Sequence, residues 1–237
     1  MERRESPYPC TIVRHRGARR MTLRVMPSGV RLTIPPRTPA RQVDAFLRAS
    51  SDWVRAQTAL LPPPAAPLAD GDRLVFLDTS LDLVVRAVPG SRGRVHRDGR
   101  ALHVGVAGGA PVDALVEGWY RREAREVLRE RSRELADRLD VHLVDVSVCD
   151  PRSRWGSCSR GGRLSYSWRL LMAPESVLDY VVAHEVCHLR RPDHSPAFWS
   201  LVREVFPGVD DARDWLRAHG PDLHRGPAWR TALTASL

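Results

Sequence analysis

At 237 residues, 43% of them hydrophobic, the chain is long enough to bury a core without disulfide staples. Its apolar stretches, such as residues 81–88, fall far short of the roughly 20 residues of a membrane span, and its N-terminus has no apolar signal core. The net charge of +9 would ordinarily point to a polyanion, yet all 37 basic residues are Arg while Lys and Asn are absent, which matches GC-rich codon usage and weakens charge as functional evidence.

Residues 21–26 and 30–34 alternate apolar and polar side chains around Pro27-Ser28-Gly29, a hairpin signature. Thr38-Pro39 opens a helix, Thr38 as N-cap and Pro39 at its first position, with Val43, Phe46, Leu47 and Trp53 on the apolar side. Pro62-Pro63-Pro64-Ala65-Ala66-Pro67 ends it as a short stiff linker. Two further strand pairs follow, 74–77 with 81–88 about Asp78-Thr79-Ser80, and 94–97 with 101–106 about Asp98-Gly99. After Pro111 a period near 3.6 marks a long helix through Leu115, Trp119, Ala124, Leu128, Leu135 and Leu139. Its alternating Arg and Glu read as a solvated face laced with helix salt bridges. Residues 144–149 and 163–171 read as strands about a turn at 159–162.

Cys10, Cys149, Cys158 and Cys187 form no CxxC pair and lack the spacing of a secreted scaffold, so reduced thiols in a cytoplasm are expected.

The chemistry is concentrated in His184-Glu185-Val186-Cys187-His188, an H-E-x-x-H pattern. Residues four apart on a helix project from one side, roughly 5–6 Å apart at Cβ, so two imidazoles can converge on one ion. Pro174 suits the start of such a helix, and Val177, Leu178, Val181, Val182 and Leu189 give it a buried stripe. Glu185, about 100° around the axis from His184, is placed to act as general base on a water at the metal. Catalytic zinc wants a third protein ligand, and His194 is the candidate, because residues 190–193 let the chain fold back and Ser195-Pro196 opens another helix just after it. Pro207-Gly208 closes that helix, and a last short one spans 210–218, ended by Gly220. Asp193 and Glu204 are possible acceptors for a ligand imidazole N–H, and Cys187 reads as core. His15, His96, His103, His142, His219 and His224 read as incidental.

Arg154-Trp155-Gly156-Ser157-Cys158-Ser159, Trp168-Arg169-Leu170, Ala173-Pro174, the H-E-x-x-H run and His194-Ser195-Pro196-Ala197-Phe198-Trp199 together resemble the YgjP-like metallopeptidase family of bacteria. The resemblance is close over about 144–215 and looser over the N-terminal Arg-rich hairpin, Trp53 and Trp119-Tyr120-Arg121-Arg122. It implies His184, His188 and His194 as metal ligands and Glu185 as the catalytic acid residue, in a core similar to those of the SprT-like and WLM zinc proteases. Ser165 and Ser167 stand where that family usually has Asn. Against the metzincin pattern, Arg191 replaces the required Gly, which excludes that class. Arg154, Trp155, Gly156 and Ser157 are candidate substrate-binding residues, with Trp155 packing and a Gly156 bulge as the structural alternative.

The expected fold is α+β: a zincin-like catalytic domain over 111–237, with an antiparallel or mixed sheet and the H-E-x-x-H helix, preceded by a β-rich accessory region over 1–110. The expected function is a metallopeptidase with one Zn2+ per chain, acting on peptide or protein and independent of membranes. The alternatives are a metal-dependent nucleotide phosphohydrolase and a DNA-associated protease acting on DNA-bound proteins.

Overall fold

A computed structural model describes residues 7–26, 29–61, 66–151 and 153–225. The chain divides into two compact units, Met1–Ala65 and Ala66–Leu237, and its architecture is mixed α+β. No helix among the described residues is long and apolar enough to cross a membrane.

In the smaller unit, strands β2 (Thr22–Met26) and β3 (Gly29–Ile34) form the expected antiparallel hairpin, Leu23 opposite Leu32. A strand the sequence pattern does not announce, β1 (Cys10–Arg14), pairs parallel with β3, giving the order β1-β3-β2. Leu32 and Ile34 are fully buried against Val43 and Leu47 of helix α1 (Ala40–Ala49), with Ile12, Leu23 and Phe46 around them. The single helix expected here is two, because the chain bends at Ser50 (φ −93°, ψ 1°) before α2 (Ser51–Ala59). Thr38 does not cap: its Oγ1 donates to the Pro35 carbonyl, closing a turn, and Pro39 takes the N-cap position in extended backbone. Residues 62–65, most of the expected linker, lie outside the described residues.

The larger unit begins with β4 (Arg73–Phe76), β5 (Thr79–Ala87), β6 (Arg94–Asp98) and β7 (Ala101–Val106) in the order β4-β5-β7-β6, with β5 and β7 parallel. The β4–β5 turn is Leu77-Asp78, not 78–80. Leu77 takes a left-handed conformation (φ 51°) while its N–H donates to the Leu171 carbonyl at 2.6 Å. Helix α3 (Val112–Arg138) crosses this sheet, followed by β8 (Asp145–Cys149), β9 (Gly156–Cys158) and β10 (Arg163–Ser167) in the order β8-β10-β9. Helices α4 (Glu175–Arg190), α5 (Pro196–Val205) and α6 (Val209–Arg225) complete it.

The expected division at 110/111 therefore differs from the observed one at 65/66, for a packing reason. Leu74, Phe76, Leu81, Leu83, Leu102 and Val104 of β4–β7 share one core with Val116, Trp119 and Tyr120 of α3 and with the buried face of α4. A sheet whose inner side chains are sealed by α3 cannot be a separate accessory region. Three other expectations are corrected. The strand over 163–171 stops at Ser167, whose Oγ accepts from the Arg169 N–H and starts a 3₁₀ turn, Trp168–Met172. Helix α6 continues through Gly220 and Pro221 to Arg225. Among the described residues, one ion pair lies within α3, Arg121 with Glu117; Arg129 instead reaches Asp145 on β8, and Arg131 reaches Glu175 and Asp179 on α4.

Candidate metal centre

Helix α4 starts after Pro174 and buries Val177, Leu178, Val181, Val182 and Val186, which fixes its rotation and turns His184 and His188 outward one turn apart. At its end Arg191 takes ordinary extended backbone (φ −134°, ψ 96°), so no glycine is needed at the exit. Asp193 Oδ1 then accepts from the Ser195 hydroxyl at 2.8 Å and its N–H at 3.4 Å, and Ser195 Oγ accepts from the Phe198 N–H, capping α5. His194 is thereby held between two ordered turns.

The three Nε2 atoms of His184, His188 and His194 lie 3.2 Å from one another in every pairing. Tetrahedral zinc with nitrogen ligands at about 2.0–2.1 Å requires nitrogens roughly 3.3 Å apart, so the residues present fit the ion. Among the described residues, this is the cluster of His, Cys, Asp and Glu able to hold a metal. His188 Nδ1 lies 2.9 Å from the Arg191 carbonyl; as donor there, it leaves the Nε2 lone pair facing the other two rings. That acceptor is main chain, whereas among the described residues no hydrogen bond joins Asp193 or Glu204 to the three rings. His184 Nδ1 is buried with no partner among the described residues. Burial, with the neighbouring His188 and His194, lowers the pKa of His184 to about 4, and burial also lowers that of His188. These imidazoles are neutral near pH 7, the form a cation needs.

Phe198 of α5, fully buried, organises the rings. His188 stacks on it at 4.3 Å, while His184 and His194 meet it edge-on at 5.0 and 5.1 Å. Trp199 lies 5.6 Å from His184 and 5.9 Å from His194. The sequence pattern gives both aromatics only within the run His194-Ser195-Pro196-Ala197-Phe198-Trp199; their place beneath the histidine rings follows from the first turn of α5, which starts two residues after His194.

Glu185 is 6% exposed. Burial raises its pKa to about 7, opposed by the positive charge of Arg154. Its neighbour is Gly156 of β9, where an added Cβ would lie 2.6 Å from both Cγ and Oε1 of Glu185. No larger residue fits unless the carboxylate moves. Gly156 pairs regularly with Tyr166, so it is no bulge.

An open cleft of about 1000 Å³ contains this group; it is lined by His184, Glu185, His188 and His194 together with Gly156, Ser157 and Cys158 of β9. Of the sequence candidates, Gly156 and Ser157 line it. Arg154 is exposed and does not line it, and Trp155 is half-buried with its ring against Gly220 of α6, where an added Cβ would meet it at 3.1 Å. His142 and Arg160 also line the cleft, and nothing in the sequence pattern singled them out. Cys187 is fully buried with its thiol pKa raised to about 11, as expected of a core residue. Ser165 and Ser167 face inward partners: Ser165 Oγ meets Cys149 Sγ at 3.0 Å, and Ser167 caps the 3₁₀ turn.

The family model for the YgjP-like, metallopeptidase domain matches residues 19–219. None of the curated proteins and none of the solved structures compared with the chain matches it.

Proposed function

Because this chain belongs to the YgjP-like metallopeptidase family, we propose that it is a zinc peptidase of zincin type whose ligands are His184, His188 and His194 and whose general base is Glu185. The observation that carries this reading is the mutual 3.2 Å spacing of the three Nε2 atoms. Held by these three residues, a zinc ion would supply Lewis acidity to the scissile carbonyl and lower the pKa of the attacking water. Glu185, buried one residue from the first histidine, would take the proton of that water and deliver it to the leaving amine. Gly156 leaves the space in which that carboxylate rests. β9 is an edge strand of its sheet and lines the cleft, so an extended peptide can add to it by main-chain hydrogen bonds beside Ser157. Trp155 holds β9 against α6, and Arg154 acts on Glu185 through its charge. In this reading the catalytic part is α3 to α6 with β8–β10.

Hydrolysis of a nucleoside phosphoanhydride is less well supported, since Arg160 is the one arginine among the cleft's lining residues. Metal analysis of wild type beside His188→Ala, with casein, short peptides and nucleotides as substrates, tests the reading. About one zinc per chain, lost in the variant, with peptide cleavage is expected. Full metal content in His188→Ala, or nucleotide hydrolysis without peptide cleavage, would overturn it.

A further inference from the structure

The +9 charge is not spread along the chain. The unit Met1–Ala65 holds 12 Arg against 4 acidic residues, a net +8, whereas Ala66–Leu237 holds 25 Arg against 24, a net +1. Codon usage explains Arg in place of Lys throughout, but it acts on both units alike. What separates them is the scarcity of acids in the first.

The strand register concentrates that charge. Arg24 and Arg31 lie directly opposite each other on β2 and β3, both exposed. They share a face with Thr22 and Thr33, while Leu23 and Leu32 face the helices. Like charges placed directly opposite across a ladder are unfavourable by themselves. Among the described residues, the one ion pair of this unit is Arg55 with Asp52, and neither Arg24 nor Arg31 has an acidic partner. β2 is also a sheet edge, and along it runs a groove lined by Arg20, Met21, Thr22, Leu23, Phe46, Ser50 and Trp53. Trp53 is 47% exposed, one of three exposed large hydrophobic residues among those described.

We propose that the N-terminal unit binds single-stranded nucleic acid wrapped around the β2 edge, with Arg24 and Arg31 contacting phosphates on the open face and Trp53, which lines the groove on the helix side together with Arg20, stacking on a base. Paired guanidinia gain from a polyanion what their mutual repulsion costs, and an exposed indole next to a cation suits an unpaired base rather than a closed duplex. A membrane surface would also attract the arginines, but Trp53 lies in a groove rather than at a protruding apolar tip. The proposal does not depend on the metal centre.

The test is fluorescence anisotropy of the full chain with a labelled oligothymidylate of about 20 nucleotides, its duplex, and anionic phosphatidylserine vesicles, across a salt series. Tightest binding to the single strand is expected. Arg24→Gln with Arg31→Gln should flatten the log–log salt slope by about 1.4, near 0.7 per phosphate contact. Trp53→Ala should weaken binding on the order of tenfold and Trp53→Phe should restore most of it. Arg125→Gln with Arg133→Gln, exposed on α3, should change nothing. Far-UV circular dichroism of each variant confirms folding. No binding at low salt, tighter binding to duplex or vesicles, an unchanged slope in the Arg24/Arg31 variant, or an equal loss in the α3 control would overturn the proposal.

Discussion

Two sheets of this chain share one topology and are used differently. In β1-β3-β2 and in β8-β10-β9 the third strand in sequence lies in the middle, parallel to the first and antiparallel to the second. The second sheet takes two helices on the face that carries Tyr166 and its cross-strand partner Gly156: Ser132 of α3 donates to the Tyr166 hydroxyl on β10, and Gly156 on β9 abuts Glu185 of α4. The first is likewise covered on one face, but by helices that bring no buried acid to it among the described residues, and its other face carries Arg24 and Arg31. Strand order therefore decides neither role. What packs on the sheet does, and a covering helix demands a glycine where an open face tolerates arginine.

The comparison can be broken in four places, taken in descending size of effect. Glu185→Gln should lower peptide hydrolysis on the order of a thousandfold with zinc content unchanged, measured by steady-state assay and metal analysis; retained activity would remove the base from the mechanism. Phe198→Ala should cost about 3–5 kcal/mol of folding stability in chemical denaturation, because three histidine rings lose their common support; a loss below about 1 kcal/mol would mean that the rings are held by something else. Gly156→Ala should reduce hydrolysis on the order of a hundredfold, since a Cβ displaces the Glu185 carboxylate by steric overlap, while metal binding persists. The matched change on the open sheet, Arg24→Gln with Arg31→Gln, should leave the folding stability level or slightly raised, within about 0.5 kcal/mol in chemical denaturation, as like charges are relieved. A large destabilisation there would show that the open face is structural after all.

Features encoded locally were legible from the sequence. The H-E-x-x-H helix, the third histidine before a Ser-Pro helix start, the 22–34 hairpin and the long helix after Pro111 all follow from short-range periodicity and capping. Features encoded by distant partners were not. β1 pairs with β3 some twenty residues on, and its five residues carry no alternation strong enough to announce it. Trp168, Leu170, Leu171 and Met172 are all buried, so they read as a continuation of the strand until the Ser167 hydroxyl is seen to cap the turn. Gly220 looks like a helix terminator, yet it is small because Trp155 leans on it, and Pro221 lies inside α6 although it lacks a backbone donor and its ring crowds the preceding turn. The unit boundary was misplaced because a β-to-α change at 110 resembles a domain edge, whereas Phe76 packing 5.2 Å from Trp119 makes it an interior seam. In the site, the convergence of His184, His188 and His194 was readable; the acceptor for His188 was not, since a carbonyl leaves no trace in residue type.

That carbonyl has a genetic corollary. Arg191 orients His188 through its main chain, so many different side chains at 191 would serve equally well. The geometry is governed one position later, because Pro192 confines its predecessor to extended backbone and so aims the C=O at the imidazole. A saturation library should find codon 191 permissive and codon 192 stringent, the reverse of what charge or distance from the ion would lead one to rank.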